Sequence, residues 1–119
     1  MLLIEYPKCS TCQKAKKFLL DHHMSFTCRD IVSMPPTEEE IRQYLAWEIP
    51  LQKLFNTSGI LYRELNLKDK LPNMTEDEKI SLLASNGMLV KRPLLIVGDK
   101  VLVGFKELEW KKIINKDIW

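Results

Sequence analysis

Apolar residues come as short runs at the two ends of the chain and at helical spacing in between. Leu2-Leu3-Ile4 is long enough for a strand only, and its unbroken apolar character predicts a strand over 2–6 buried on both faces. Ala15, Phe18 and Leu19 are spaced i, i+3, i+4, which predicts a helix from about Cys12 to His22. Asp21-His22-His23 forms its end, where the histidines meet the last carbonyls or face solvent. Ser25 to Ile31 alternates and predicts a second strand with Phe26 and Cys28 on one face, Cys28 as a small buried hydrophobe.

Met34-Pro35-Pro36 then breaks the chain. Thr37-Glu38-Glu39-Glu40 and Thr75-Glu76-Asp77-Glu78 each have the capping-box pattern, a hydroxyl followed three residues later by a carboxylate. Ile41, Tyr44 and Leu45 continue the first helix, and Ile80, Leu83 and Ala84 the second, which Asn86-Gly87 stops. Leu51, Leu54 and Phe55, and then Leu61 and Leu65, predict short helical pieces between them, with a break at Leu71-Pro72-Asn73. Residues 35–87 thus read as a helical insertion without strand character. Pro93 to Val97 and Lys100 to Val103 flank Gly98-Asp99 as a hairpin with a two-residue turn. A last helix from about Lys106 to Asn115 points Leu108, Ile113 and Ile114 inward, with Trp110 and Trp119 as packing residues.

At 119 residues, 45% hydrophobic and 29% charged, the chain is expected to be one soluble domain spanning 1–119. A net charge of +2 is too small to argue for nucleic acid, and no run approaches the ~18 apolar residues of a membrane span. Three cysteines without scaffold spacing exclude a disulfide-stapled secreted domain, so a reducing cytoplasm is the expected compartment. A monomer is expected.

The chemistry lies in Lys8-Cys9-Ser10-Thr11-Cys12. The pair falls on the turn from the first strand into the first helix, where free amides and the helix dipole favour a thiolate at Cys9. Lys8, Lys14 and Lys16 add positive charge, and Cys12, one turn on, is placed to attack a mixed disulfide formed at Cys9. Two alternatives stand beside this redox reading. Buried structural thiols fit poorly with a polar, lysine-rich loop. A zinc site needs two further ligands, and the chain offers only Cys28 and the adjacent His22 and His23. No metal or cofactor is expected. A CxxC at the first strand-to-helix turn, with the order strand, helix, strand, helical block, hairpin, helix, predicts an α/β thioredoxin-like mixed sheet with a helical insertion.

Tyr6-Pro7-Lys8-Cys9 with Cys12, Pro35-Pro36-Thr37, Asn56-Thr57-Ser58-Gly59, Tyr62-Arg63-Glu64-Leu65, Lys91-Arg92-Pro93 and Val103-Gly104-Phe105 resemble the ArsC/Spx-related family over essentially the whole chain. That family includes arsenate reductases and Spx-type transcriptional regulators. The resemblance implies a cis Pro93 against the cysteine loop and an Arg92 guanidinium turned towards Cys9. It implies Cys9, Cys12 and Arg92 as catalytic residues, with Lys8, Ser10, Thr11, Arg92 and Pro93 around the substrate. Thioredoxin, glutaredoxin or a low-molecular-weight thiol would serve as reductant. The family's arsenate reductases use one cysteine and three arginines. Here only Arg92 aligns with an arginine, while Asn56 and Gly104 stand near the other two positions and Arg63 is the nearest substitute. Poor arsenate binding is therefore expected. The CxxC is similar to the Spx branch, which implies the RNA polymerase α subunit as the alternative partner.

Overall fold

A computed structural model describes residues 1–118, the last three by their backbone; the expectation that Trp119 packs falls outside the described residues. Four strands form one mixed sheet: β1 (Leu2–Glu5), β2 (Thr27–Asp30), β3 (Leu94–Val97) and β4 (Lys100–Val103), in the order β2-β1-β3-β4. β1 runs parallel to β2 and antiparallel to β3, and β3 pairs with β4 as a hairpin. Of the two turn residues only Gly98 has positive φ, +59°, as a type II′ turn requires at its first position.

The period of two along the strands divides the core between the faces of the sheet. Leu3, Leu95 and Leu102 pack with Ala15, Phe18, Leu19, Trp110 and Ile114. These last five come from α1 (Ser10–Asp21) and α6 (Glu107–Ile118). Ile4, Leu94 and Val101 pack on the opposite face against the helical segment between β2 and β3. That segment contains α2 (Glu38–Ala46), α3 (Ile60–Glu64), α4 (Leu67–Lys70) and α5 (Glu76–Ser85), with 3₁₀ turns at Leu51–Leu54, Leu71–Asn73 and Gly87–Leu89. Both predicted capping boxes form: Thr37 and Thr75 accept from the amides of Glu40 and Glu78, whose carboxylates accept from the threonine amides.

Glu40 has a second role. Arg29 grips its carboxylate with two nitrogens at 2.7 and 2.8 Å and donates to the carbonyls of Met34 and Pro35, tying the end of β2 to the start of α2. The Arg29 guanidinium, with help from the Thr37 amide and against partial burial, holds the Glu40 carboxyl down at about 2. Gly87 is obligatory for packing: a Cβ there would lie 1.7 Å from the carbonyl oxygen of Ile31.

Four readings of the sequence are corrected. α1 begins at Ser10, two residues before Cys12, because Cys9 is its N-cap. α4 was not expected; it occupies ground read as leading only to the break at Leu71. Leu108 is 77% exposed, since α6 faces the sheet through the i, i+4 pair Trp110 and Ile114. Cys28 is exposed rather than buried, because β2 is an edge strand and shorter than its alternating pattern. Among the described residues no helix is long and apolar enough to cross a membrane.

Candidate functional site

The turn from β1 into α1 is set by backbone geometry. The Cys9 amide donates to the Tyr6 carbonyl at 2.9 Å, and Gln13 Nε2 reaches back to the Pro7 carbonyl at 3.1 Å. Cys9 itself is extended (φ −83°, ψ 126°), and its carbonyl accepts the first helical bond from Gln13. Its side chain therefore sits above the first amides of α1, which have no intrahelical partner.

The two thiols are free and in opposite environments: Cys9 is half-exposed and Cys12 fully buried. Partial burial, the largest single influence on Cys9, opposes ionisation. The Cys12 amide, the Cys12 thiol, the Arg92 guanidinium and the Thr11 amide together outweigh it, so the net effect lowers the Cys9 pKa. Burial pushes the Cys12 thiol up to about 12, and the proximity of Cys9 adds to the rise. A partly exposed thiol whose ionisation is favoured thus stands beside a buried thiol that favours its protonated form.

Arg92 stands two residues before β3, the strand beside β1, and the Arg92–Pro93 peptide is cis. Its guanidinium stacks over the Tyr6 ring, 5.2 Å from the centroid. Nε and Nη1 are buried without a protein partner. The segment before it is fixed by a two-strand contact: Phe55 bridges Val90, Asn56 N donates to Leu89 O at 2.8 Å, and Lys91 N donates to Leu54 O at 2.7 Å. This clamp delivers Asn56 and Arg92 to the same cleft.

The cleft encloses about 380 Å³ and is lined by Cys9, Thr11, Asn56, Ser58, Lys91, Arg92, Val103, Gly104, Phe105 and Lys106. Gly104 has φ +75° and stands at the wall, with its amide bonded to Pro93 O and its carbonyl to Trp110 Nε1. A neighbouring hollow of about 470 Å³ shares Asn56, Ser58 and Arg92 and continues past Ile60, Leu61 and Met88 to Glu64.

The residues expected at the site separate into two groups. Cys9, Thr11 and Arg92 line the cleft; Cys12, one turn along α1, is buried, and Pro93 is buried and is not among the lining residues. Lys8 and Ser10 are exposed on the turn and are not among the lining residues; nor is Arg63, on the exposed side of α3. The positions of Asn56 and Gly104, relevant only through the family resemblance, do face the cleft. Two cations were missed. Lys91 and Lys106 join Arg92, so among the described residues three cationic side chains and no carboxylate line the space around Cys9. Lys106 left one signal: a cation just ahead of a helix, where the dipole favours acids. Away from the cleft, His22 Nδ1 lies 2.8 Å from Phe18 O, the helix-end contact expected of it. Among the described residues no group of three or more His, Cys, Asp or Glu side chains is arranged to hold a metal ion.

A dithiol at the first strand-to-helix turn of a β2-β1-β3-β4 mixed sheet, with a cis proline just before β3, defines a thioredoxin-like protein. The chain belongs to the ArsC family, which it matches over residues 4–113. It is 53% identical to the uncharacterized protein YusI of Bacillus subtilis over 90% of this chain and 92% of that one. It is 30% identical to the regulatory protein MgsR of the same organism, covering 93% and 87% of the two chains. It is 29% identical to the global transcriptional regulator Spx of Enterococcus faecalis, covering 99% and 89%. Among solved structures, a putative ArsC family related protein from Bacteroides fragilis superposes with a TM-score of 0.89 at 53% identity, over 94% of this chain and 95% of that one. A possible arsenate reductase from Streptococcus mutans superposes with a TM-score of 0.84 at 44% identity, over 92% and 96%.

Proposed function

We propose that the protein is a cytoplasmic thiol–disulfide oxidoreductase in which Cys9 attacks and Cys12 resolves. The observation that carries the reading is the asymmetry of the two thiols. Cys9 is accessible and inclined to ionise, while Cys12 is buried and held protonated one turn away. Cys9 thiolate attacks a disulfide R–S–S–R′, forming Cys9–S–S–R and releasing R′S⁻. Cys12 then loses its proton and attacks Cys9, forming Cys9–S–S–Cys12 and releasing RSH. Arg92, Thr11 and the helix amides steady the Cys9 thiolate and any anionic group of the substrate. Lys8, Ser10 and Pro93 border the approach to Cys9. Thioredoxin, glutaredoxin or a low-molecular-weight thiol returns the disulfide to the dithiol.

The cleft's cations favour an anionic disulfide substrate over arsenate. Lys91 and Lys106 supply charge but lack the planar fork with which arginine grips a tetrahedral oxyanion. Trapping tests the reading: a Cys12→Ser variant should accumulate mixed disulfides at Cys9 in a cell lysate, and Cys9→Ser should accumulate none. Equal capture by both variants would rule out Cys9 as the nucleophile.

A second reading is a redox-sensing regulator, favoured by the relatives named MgsR and Spx. Its partner would be the RNA polymerase α subunit, as the family resemblance implies. Recovery of polymerase subunits on the oxidised or reduced protein, without mixed disulfides on the Cys12→Ser variant, would select it.

A further inference from the structure

The short helix α3 holds apolar side chains that the core does not fully use. Its sequence is Ile60-Leu61-Tyr62-Arg63-Glu64, and none of these residues is fully buried. Tyr62 serves the fold by packing edge-on to Phe55, with ring centroids 6.5 Å apart. Ile60 is 67% exposed. Together with half-buried Leu61, and with Met88 from the Gly87–Leu89 turn, it lines the hollow beside the cleft. A concave, mainly apolar surface with a few polar groups suits an apolar side chain of a ligand.

The charge changes sign along this path. Asn56, Ser58 and Arg92 border both the cleft and the hollow. Lys91 and Lys106 stand on the Cys9 side, and Glu64 stands at the hollow. Glu64 is one turn after Ile60, on the same face of α3. Among the described residues it has no ion-pair partner. Beyond Phe105, on the other side of the cleft, Lys14 and Lys17 are matched by Asp21 and Glu107, so that surface has no net sign. A ligand lying from the cleft into the hollow therefore meets cations, then apolar surface, then a carboxylate. A small anionic disulfide would use only the first of these. It would leave the hollow of about 470 Å³ to water and meet a repelling charge there. A polypeptide can supply all three.

We propose that the substrate is a protein disulfide and that the α3–Met88 hollow is the subsite that selects it, an inference that rests on the dithiol reading above and names its substrate class. An apolar residue beside the substrate cysteine seats on Ile60, Leu61 and Met88. A basic residue next to it pairs with Glu64, and an acidic residue on the other side of the cysteine meets Lys91 and Lys106. Cys9 thiolate attacks the substrate sulfur, forms Cys9–S–S–peptide and releases the other half as a thiolate. Cys12 then gives Cys9–S–S–Cys12 and the peptide thiol, with no outside oxidant.

The test uses the reduced Cys28→Ser protein and short peptides whose one cysteine carries an aromatic thiol as a mixed disulfide. Attack at the peptide sulfur releases a coloured thiolate. The reference peptide has aspartate before the cysteine, and leucine then lysine after it. One comparison peptide replaces the leucine with serine, another the lysine with glutamate. Each is made in both chain directions, and the faster direction is scored. Leucine should be preferred to serine at least about tenfold, the low end for an apolar group in a pocket. Lysine should be preferred to glutamate by about twofold to fivefold at low salt, as for an exposed ion pair. In Ile60→Ser the leucine preference should fall below about threefold, and in Glu64→Lys the charge preference should reverse. Loss of folding cannot produce a reversal. Peptide rates equal within about twofold in the wild type, or preferences that persist in both variants, would overturn the subsite. Equal peptide rates beside rapid release from a small aromatic disulfide would overturn it while leaving the dithiol reading intact. No release from any disulfide would overturn both.

Discussion

Replacing Arg92 with Gln removes the one guanidinium at the cleft while keeping a polar side chain. Two contributions are lost. The stacking of Arg92 over Tyr6, at 5.2 Å, contributes about 0.5–1 kcal/mol to stability. The support it gives the Cys9 thiolate is a charge-assisted interaction of roughly 1.5–3 kcal/mol. Cys9 is half-exposed, so solvent screening favours the lower end. At about 1.36 kcal/mol per decade, roughly tenfold less thiolate is present at neutral pH. The sign is fixed by the chemistry. Arg92 lowers the Cys9 pKa, so its removal raises it and slows alkylation at pH 7. The difference should close at alkaline pH, where both proteins are fully ionised. The assay is iodoacetamide alkylation of the Cys28→Ser protein between pH 5 and 10, with mass spectrometry to place the adduct. Arg92→Lys should fall in between, having the charge without the fork. An unchanged rate at pH 7 in Arg92→Gln would refute the role given to the guanidinium and leave the α1 amides and the Cys12 thiol as sole support.

Thr37→Ala and Thr75→Ala should each lower stability by about 1 kcal/mol in urea titrations, by loss of the N-cap bonds, without altering Cys9 alkylation. Stability should also fall as pH drops from about 4.5 towards about 2, because Glu40 has its folded pKa depressed and its contribution is present only above the unfolded value. Glu40→Gln keeps the capping geometry but not the charge, so it should flatten that part of the pH profile; an unchanged profile would show that the Arg29 pair contributes nothing. Arsenate turnover should lie at least about a hundredfold below that of a three-arginine pocket, from a loss of roughly 3 kcal/mol even after the lysines contribute. Coupled assays with glutaredoxin and with thioredoxin check this, and comparable turnover would return Cys9 and Arg92 to oxyanion chemistry.

The local grammar of the chain was readable because it is local. The capping boxes at Thr37 and Thr75, the turn at Gly98 and the placing of Cys9 and Cys12 at the head of a helix depend on residues a few positions apart. What depends on distant packing was not. Alternation at Phe26 and Cys28 says which side of a strand a residue takes, not whether that strand is an edge, so Cys28 was misplaced. Leu108 was assigned inward because a helical period has no fixed phase until Trp110 finds the sheet. Lys91 and Lys106 are 15 positions apart and meet only because the β3–β4 hairpin returns the chain. The approach of Arg92 to Cys9 crosses more than 80 residues and was legible through family resemblance alone. Glu5 ends an apolar run with an acid, and only the packing of α1 on the sheet shows that it is buried.

The proposed chemistry requires Cys9 and Cys12 to act as a pair. The most direct measurement is peptide mass spectrometry of the protein titrated against a graded thiol–disulfide redox buffer, with free thiols blocked at each point. The account predicts one two-electron transition in which Cys9 and Cys12 become linked to each other, reversed by added dithiol, with Cys28 remaining free throughout. A Cys9–Cys28 linkage, or Cys9 and Cys12 both free across the whole titration, would contradict it.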